Sequence, residues 1–345
     1  MPAKSFDSIG IVAVHAGAGF HAPSSRDDTI TTCKQACSKG HASLRQRNSG
    51  LEACVAAMNI LEESPITNAG RGSNLTRSET IECEAGIMDG DSLLFGGVAA
   101  LTNCCYPTSV SAKLLHEQKN PPEAGLVPPA LLVGQGALSF AKAQGIDLCE
   151  QKDLITTRAL GAFQKALRLE TDASAALDTV GCIVLSPDLT ISAACSSGGL
   201  ILKHPGRIGH AAIFGAGCWA QQTDTKLIGV SVSGCGEHVA RTSLAKNCAQ
   251  WLLNRSYDLA AECVRDLFKS EFLQSPLLKS VQTSHKAAGV IILLYDKEED
   301  DGELLWVHNT DTMAIAYRDA RHNSGFFSLL PSESEVLVQS VSVSL

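Results

Sequence analysis

The chain has 345 residues, of which 45% are hydrophobic and 19% are charged, a composition typical of globular proteins and not of disordered or collagen-like ones. Its 28 basic and 36 acidic side chains give a net charge of −8, so it lacks the basic surface expected of a nucleic-acid-binding protein. No apolar run approaches the roughly 18 residues of a membrane-spanning helix. We therefore predict no nucleic-acid partner and no membrane partner.

Apolar periodicity predicts the following elements in chain order. A buried strand at 10–14 ends in a glycine-rich turn at 15–19, followed by helices at 27–45 and 50–61, a hairpin of strands at 81–88 and 92–100, and helices at 109–116 and 156–169. A second hairpin pairs strands 180–185 and 190–195, and helices at 237–253 and 259–272 precede strands at 290–295, 304–308 and 313–317. Because the strands come in hairpins, we expect an α+β fold of stacked, mostly antiparallel sheets with helices outside.

The polar segment 170–176 is the one predicted break in the chain. No secretory signal precedes the first strand, so we expect an intracellular protein, in the cytoplasm, the nucleus or both. The 13 cysteines have the spacing neither of a disulfide framework nor of a zinc site, and we expect buried free thiols and no metal. We also expect no cofactor: Gly17 and Gly19 fit the loose dinucleotide pattern GxGxxA, but Pro23 interrupts the helix that should follow.

Thr179 stands where the polar segment gives way to a buried strand, directly after Asp178. One interpretation is an ordinary turn before a strand. The other begins with cleavage of the Asp178–Thr179 peptide bond, after which Thr179 carries both a hydroxyl nucleophile and a free α-amine. Such an amine has a pKa of about 7.7, so at neutral pH part of it is a base able to activate the hydroxyl. An enzyme of this kind is made as an inactive precursor and cuts itself.

Further segments carry the groups that such a nucleophile needs. Ser197 ends the second strand of the hairpin that follows Thr179, so antiparallel pairing brings the two hydroxyls together. Arg207 lies in a glycine-flanked turn and suits bidentate binding of a carboxylate. The backbone N–H groups of Ser233 and Gly234, just before a predicted helix, suit an oxyanion hole. Each residue alone has an ordinary structural explanation, but together and in this order they indicate a hydrolase site.

These residues resemble the type 2 asparaginases, which are N-terminal-nucleophile hydrolases, and in particular their protease branch, the threonine aspartases. The resemblance covers nearly the whole chain, in the segments 12–19, 64–74, 82–90, 177–181, 196–200, 203–207 and 233–238. It implies a four-layer αββα sandwich built as one domain over residues 1–345. It also implies autocleavage into an α subunit, 1–178, and a β subunit, 179–345, and a dimer of such αβ protomers.

The resemblance implies a role for each matching residue: Thr179 as nucleophile and base, Ser197 as the second hydroxyl, Arg207 as the binder of the substrate carboxylate, Ser233 and Gly234 as the oxyanion hole, and Asn68 as the loop asparagine near the nucleophile. Gly70 and Gly72 belong to the same loop, which resembles the family's ion-binding loop. A bound monovalent ion therefore stays open at this stage.

Two departures from the asparaginases bear on the substrate. Those enzymes have glycine before the nucleophile and aspartate three residues after the arginine, whereas this chain has Asp178 and His210. The asparaginase aspartate holds the ammonium of a free amino acid, while an aspartate within a peptide has an uncharged amide that needs no such partner. One arginine can anchor either substrate, because two carbons separate carbonyl and carboxylate in both. The residues therefore predict a threonine endopeptidase that cuts after aspartate, as it cuts itself after Asp178.

The resemblance suggests protein substrates among chromatin and transcription regulators. The alternative function is that of an isoaspartyl peptidase/L-asparaginase, which ammonia release from asparagine would support. A lysosomal glycosylasparaginase also has aspartate before the nucleophile but needs a signal sequence, and a non-enzymatic protein of this fold would leave the Asp178–Thr179 bond intact. The segment 169–177 contains no Lys or Arg, so it lacks the basic stretch that is read as a nuclear signal in the resembled proteases.

Overall fold

The structure is a computed structural model, and it describes residues 9–121, 125–168, 178–254 and 259–345. Its helices are α1 (Arg26–Arg45), α2 (Gly50–Glu63), α3 (Pro107–Lys119), α4 (Gly134–Ala143), α5 (Gln151–Leu154), α6 (Thr157–Leu167), α7 (Gly236–Thr242), α8 (Leu244–Asn254) and α9 (Ala260–Leu267). Its strands are β1 (Ile11–Gly19), β2 (Cys83–Asp89), β3 (Phe95–Leu101), β4 (Leu131–Val133), β5 (Val180–Leu185), β6 (Ile191–Ser197), β7 (Cys218–Gln222), β8 (Lys226–Gly234), β9 (Ala288–Asp296), β10 (Asp301–His308), β11 (Thr312–Arg318), β12 (Asn323–Leu329) and β13 (Leu337–Val343).

The strands form two sheets. The larger has the order β12-β11-β1-β5-β6-β2-β3-β4, and the smaller has the order β13-β10-β9-β8-β7. Neighbouring strands pair antiparallel except for β3 and β4, which run parallel. The predicted hairpins are confirmed: Met88 of β2 lies opposite Phe95 of β3, and Leu185 of β5 lies opposite Ile191 of β6.

The two sheets pack face to face, and helices cover both outer faces. Helices α1, α2 and α3 contact the larger sheet, and α8 and α9 contact the smaller one. In β5, Ile183 and Leu185 belong to the core between the sheets, whereas Cys182 and Val184 belong to the core under α1 and α2. A strand buried on both faces requires such a continuous apolar run. The predicted α+β architecture is confirmed as four layers, helix–sheet–sheet–helix.

The glycine-rich segment 15–19 was expected to be a turn, and this prediction is wrong. The segment is the second half of β1, with His15 opposite Gly181 of β5 and Gly19 opposite Thr312 of β11. The register with β11 shifts between His15 and Ala18, so an irregularity within the strand replaces the expected turn. Partner strands on both sides supply the backbone hydrogen bonds that keep the chain extended despite its glycines.

Two predicted helices are shorter than expected. The helix at 237–253 is divided because Ser243, between α7 and α8, adopts a left-handed conformation with φ of 45°. The helix at 259–272 ends as an α-helix at Leu267 and continues as a π-helical turn. Sequence analysis also missed β4, β7, β8, β12, β13, α4 and α5. The predicted break at 170–176 lies outside the described residues. Within the described ranges, no helix has both the length and the apolar character needed to cross a membrane.

Candidate active site

Three polar side chains form a row on the inner face of the larger sheet. Val180 of β5 lies opposite Ser196 of β6, so Thr179 and Ser197, one position further, meet at the end of this strand pair. Glu84 of β2 lies opposite Ser197 on its other side. Alternate residues of the same strands belong to the core between the sheets, so the row faces the smaller sheet.

Thr179 and Ser197 are in hydrogen-bond contact, as the hairpin predicts. Thr179 Oγ1 donates to Ser197 Oγ at 3.2 Å, and Ser197 Oγ also accepts from the N–H of Gly199 at 2.9 Å. Both side chains are buried. They line one pocket together with Asn68, Glu84, Asp178, Gly199, Leu200, Arg207, His210, Gly234 and Gly236.

Asn68 fixes the backbone that follows Ser197. Its carbonyl oxygen accepts from the N–H of Gly198 at 2.7 Å, and its Nδ2 donates to the Gly199 carbonyl at 3.0 Å. Its Oδ1 accepts from the N–H of Asn74 at 2.8 Å, which closes the loop on itself. The structure therefore brings the predicted loop asparagine next to the second hydroxyl, through backbone contacts.

Arg207 presents one edge of its guanidinium to Glu237 and keeps the other edge available. Its Nε donates to Glu237 Oε1 at 2.9 Å and its Nη2 donates to Oε2 at 2.7 Å. Nη1 has no hydrogen-bond partner among the described residues. A Cβ on Gly199 would lie 2.7 Å from Nη1, and one on Gly236 would lie 2.6 Å from Nη2, so the two glycines leave room for the guanidinium. Because a guanidinium has five N–H donors, a fork of Nη1 and Nη2 hydrogens stays available for a carboxylate.

Two buried histidines near this row are neutral. His210 Nε2 donates to the Val232 carbonyl at 3.0 Å, and burial lowers the pKa of His210, although the nearby Glu84 carboxylate opposes this. His15 Nε2 shares a hydrogen bond of 2.9 Å with Ser231 Oγ. Burial lowers the pKa of His15 to about 3. Neither ring therefore supplies a positive charge to the pocket at neutral pH.

Glu84 holds the turn that carries Arg207 and His210. Its Oε2 accepts from the N–H of Gly209 at 2.5 Å, and its Oε1 accepts from the N–H of Ala211 at 3.4 Å. Only 2% of Glu84 is exposed. The buried carboxylate therefore binds backbone donors on both oxygens, which fixes the position of the turn relative to Ser197.

The two residues of the predicted oxyanion hole have different surroundings. Gly234 lines the pocket, but Ser233 does not. Ser233 is fully buried, and its Oγ accepts from the N–H of Ala18 in β1 at 3.0 Å. The Ser233 hydroxyl therefore ties β8 to β1. Its backbone N–H points toward Gly289 of β9, because Ser233 and Gly289 are a hydrogen-bonded pair of the antiparallel ladder, so of the predicted pair only the N–H of Gly234 remains a candidate for the oxyanion hole.

Asp178 lies at the rim of the pocket with about a fifth of its side chain exposed, and His21 Nε2 is 3.5 Å from its Oδ1. Sequence analysis assigned no role to His21, Glu84 or Glu237. His21 and Glu84 come close to the site only through the order and register of β1, β5, β6 and β2. Glu237 had a detectable signal, because it follows the glycine-rich segment that was already singled out.

The loop 64–74, which resembles an ion-binding loop, is held by the guanidinium of an arginine. Arg158 of α6 donates from Nη2 to the carbonyl oxygens of Thr67 and Gly72, and from Nε to that of Pro65. These oxygens already have a cationic partner, so the residues present do not fit a bound monovalent ion at this point. Among the described residues, no group of three or more His, Cys, Asp or Glu side chains is arranged to hold a metal.

Comparisons with known proteins agree with this geometry. A family model described as asparaginase matches residues 9–327. The isoaspartyl peptidase of Escherichia coli is 32% identical over 270 residues, which cover 74% of this chain and 80% of that protein. The isoaspartyl peptidase/L-asparaginase of Xenopus laevis is 34% identical over 239 residues, 68% of this chain and 74% of that protein. The protein of the same name from Danio rerio is 32% identical over 243 residues, with the same shares.

Proposed function

Because this chain belongs to the asparaginase family of N-terminal-nucleophile hydrolases, we propose that it is a threonine endopeptidase that cuts itself before Thr179 and then cuts other proteins after aspartate. The observation that carries the proposal is the available edge of the Arg207 guanidinium, which shares one pocket with Thr179 and the neutral His210. A substrate carboxylate can bind to that edge while an uncharged peptide nitrogen lies near the histidine.

Maturation begins at the Asp178–Thr179 bond. Thr179 Oγ1 attacks the carbonyl carbon of Asp178, the C–N bond breaks, and the nitrogen takes up the hydroxyl proton, which leaves an ester between the two residues. Water then hydrolyses the ester, so that residues 1–178 end in a carboxylate and residues 179–345 begin with a free amine. The buried hydrogen bond to Ser197 orients Oγ1 for this attack.

The new amine then serves as the base in each turnover. It accepts the Thr179 hydroxyl proton while Oγ1 attacks the carbonyl of the substrate aspartate, and the departing peptide nitrogen takes that proton. Water hydrolyses the resulting ester and regenerates the threonine. The backbone N–H of Gly234, which lines the pocket, stabilises the negative oxygen that forms during the attack. Asn68 keeps the backbone after Ser197 in place for both hydroxyls.

A second candidate function is that of an isoaspartyl peptidase/L-asparaginase, because the relatives reported above carry that name. Their names support this alternative more directly than they support the endopeptidase. Such a substrate has an α-ammonium, which needs a negative partner. Glu84 lines the pocket, and its two oxygens hold the backbone of the turn that carries Arg207. At the position where the asparaginases have the aspartate that binds the ammonium, this chain has the neutral His210, and this difference is why we favour the endopeptidase.

The remaining proposals concern the setting of the enzyme. We propose that residues 1–178 and 179–345 form one domain after the cut, and that two such αβ protomers associate. We further propose that the protein acts inside the cell, in the cytoplasm, the nucleus or both, on protein substrates that include chromatin and transcription regulators. Size measurement of purified, processed protein and isolation of cleaved cellular proteins test these points separately.

A panel of substrates decides between the two candidate functions. The purified protein is given a peptide with one internal Asp, the same peptide with Asn or with Glu, free asparagine, and a β-aspartyl dipeptide. The endopeptidase proposal expects cleavage of the Asp peptide alone, because one extra methylene in Glu moves the carbonyl away from Thr179. Efficient hydrolysis of asparagine or of the β-aspartyl dipeptide, with the Asp peptide left whole, would overturn it. The variant His210→Asp adds a partner for an ammonium, and we expect it to shift activity toward free asparagine.

A further inference from the structure

Arg158 connects the start of α6 to a loop that lies more than eighty residues earlier in the chain. Its Nη2 donates to the Thr67 carbonyl at 2.8 Å and to the Gly72 carbonyl at 2.9 Å, and its Nε donates to the Pro65 carbonyl at 3.3 Å. The Arg158 residue is exposed, whereas the hydrogen bonds from Nη2 are partly buried. One guanidinium therefore binds three backbone carbonyls of the same loop.

These carbonyl oxygens converge because Gly72 bends the loop. Gly72 has a φ of +90°, and a Cβ on it would lie 2.8 Å from the Pro65 carbonyl oxygen and 3.0 Å from that of Thr67. Carbonyl oxygens that point to one place repel each other unless a positive charge lies between them, as in ion-binding backbone sites. A planar guanidinium can satisfy several of them at once, because its donors point in fixed directions.

The same loop touches the candidate active site. It continues into Asn68, whose carbonyl accepts from Gly198 and whose side chain binds Gly199, the two residues directly after Ser197. Desolvation lowers the pKa of Arg158, and the charge of Asp178, the residue before the cleavage position, partly offsets this effect.

We propose that Arg158 is the built-in cation of the loop 64–74: it takes the place of a bound monovalent ion and positions Asn68 against the backbone that follows Ser197. The proposal concerns a positioning residue. It rests on the proposed function only for the test that measures peptide cleavage. The decisive test measures hydrogen exchange and is independent of enzyme activity.

That measurement is hydrogen exchange, followed by mass spectrometry of the peptides that cover 64–74 and 196–200. In Arg158→Ala the loop loses its cation, so the amides of Asn74 and Gly198, which are bonded to Asn68, should exchange about tenfold faster or more. Guanidinium ion at low millimolar concentration, far below denaturing levels, should slow this exchange again, because the site is open to solvent. In the wild type, these amides should exchange at the same rate in a choline buffer as in a buffer with sodium or potassium.

The matched control is Arg71→Ala, which removes an exposed arginine of the same loop whose side chain makes no hydrogen bond among the described residues. It should leave the exchange unchanged. If Arg158→Ala does not accumulate as folded protein, Arg158→Lys provides the comparison. One ammonium keeps the charge but lacks the planar fork in which Nε and Nη2 bind separate carbonyls, so its exchange should be intermediate.

Several results would overturn the proposal. Exchange in Arg158→Ala equal to that in Arg71→Ala would show that the loop does not need this cation. If the amides of Arg158→Ala exchange faster and added guanidinium does not slow them, the cause is lost packing. If the amides of the wild type exchange faster in choline, a bound ion holds the loop. Cleavage of an Asp peptide, expected to fall about tenfold in Arg158→Ala, is measured in parallel. If the variants show the predicted exchange rates but the wild type cuts no Asp peptide, the proposed function is refuted and the role of Arg158 is supported.

Discussion

Arg207→Ala tests whether this guanidinium binds the aspartate of the substrate. The change removes the available fork of Nη1 and Nη2 hydrogens and also leaves Glu237 without its partner. Glu237 has 49% of its side chain exposed, so water can solvate the carboxylate and the variant should keep its fold. The loss should therefore appear in catalysis and only weakly in stability.

The size of the loss follows from the burial of Arg207. Its side chain is 14% exposed, so a carboxylate bound to it is largely removed from water. Breaking such a hydrogen-bonded charge pair costs about 2–5 kcal/mol, and the middle of that range corresponds to a loss of about 10²–10³ in kcat/KM. Replacing Asp by Asn in the peptide removes the same contact from the other side, so the two losses should not add.

The assay measures kcat/KM for wild type and Arg207→Ala on the Asp peptide and on its Asn counterpart. When Asn replaces Asp in the peptide, the kcat/KM of the wild type should fall far more than the kcat/KM of Arg207→Ala. The control is Arg77→Ala, which removes an exposed arginine that donates to the Leu202 carbonyl away from the pocket, and its kcat/KM should equal that of the wild type. If Arg207→Ala discriminates between the two peptides as strongly as the wild type does, Arg207 does not bind the aspartate and the reasoning is wrong.

Three further predictions concern processing, stability and redox state. Wild type should separate on a denaturing gel into fragments 1–178 and 179–345, whereas Thr179→Ala should remain one chain; a cut that persists in the variant contradicts the mechanism. Burial raises the pKa of Glu62 to about 7, so its native carboxyl keeps a proton that the unfolded chain loses above about pH 4.5, and stability falls as the pH rises between these values. Glu62→Gln can still accept from Thr108, so its Tm relative to wild type should rise between about pH 5 and about pH 8; an unchanged Tm difference refutes the assignment. Thiol titration of the denatured, unreduced protein should recover nearly all 13 cysteines, and recovery of only a few would indicate an oxidising compartment.

Sequence analysis succeeded where a feature depends on neighbouring residues. The apolar periodicity of α2 lies within the helix itself, and the predicted helix agrees closely with the observed one. The contact between Thr179 and Ser197 follows from one hairpin with a short turn, so their separation along the chain was sufficient to predict it.

Features that depend on distant strands could not be found in the same way. Glu84 reaches the site because β2 pairs with β6, a pairing between segments more than one hundred residues apart. Arg158 has no distinguishing pattern around it, and its role appears only once α6 lies against the loop 64–74. The glycines of β1 favour a turn when considered alone, and only pairing with β5 and β11 makes that segment a strand. In each case the deciding interactions are long-range ones.

The order of strands in the larger sheet has a consequence for a chain cut before Thr179. Strands β1 to β4 would belong to one piece and β5 to β13 to the other, yet the sheet alternates between them: β12 and β11, then β1, then β5 and β6, then β2, β3 and β4. The pieces would be interlocked through the strand pairs β11–β1, β1–β5 and β6–β2, and neither could leave without dissolving the middle of the sheet. Cut and uncut protein would therefore elute together on gel filtration. Two pieces synthesised separately would each lack the neighbours that their central strands require, so one continuous precursor is the natural route to this fold.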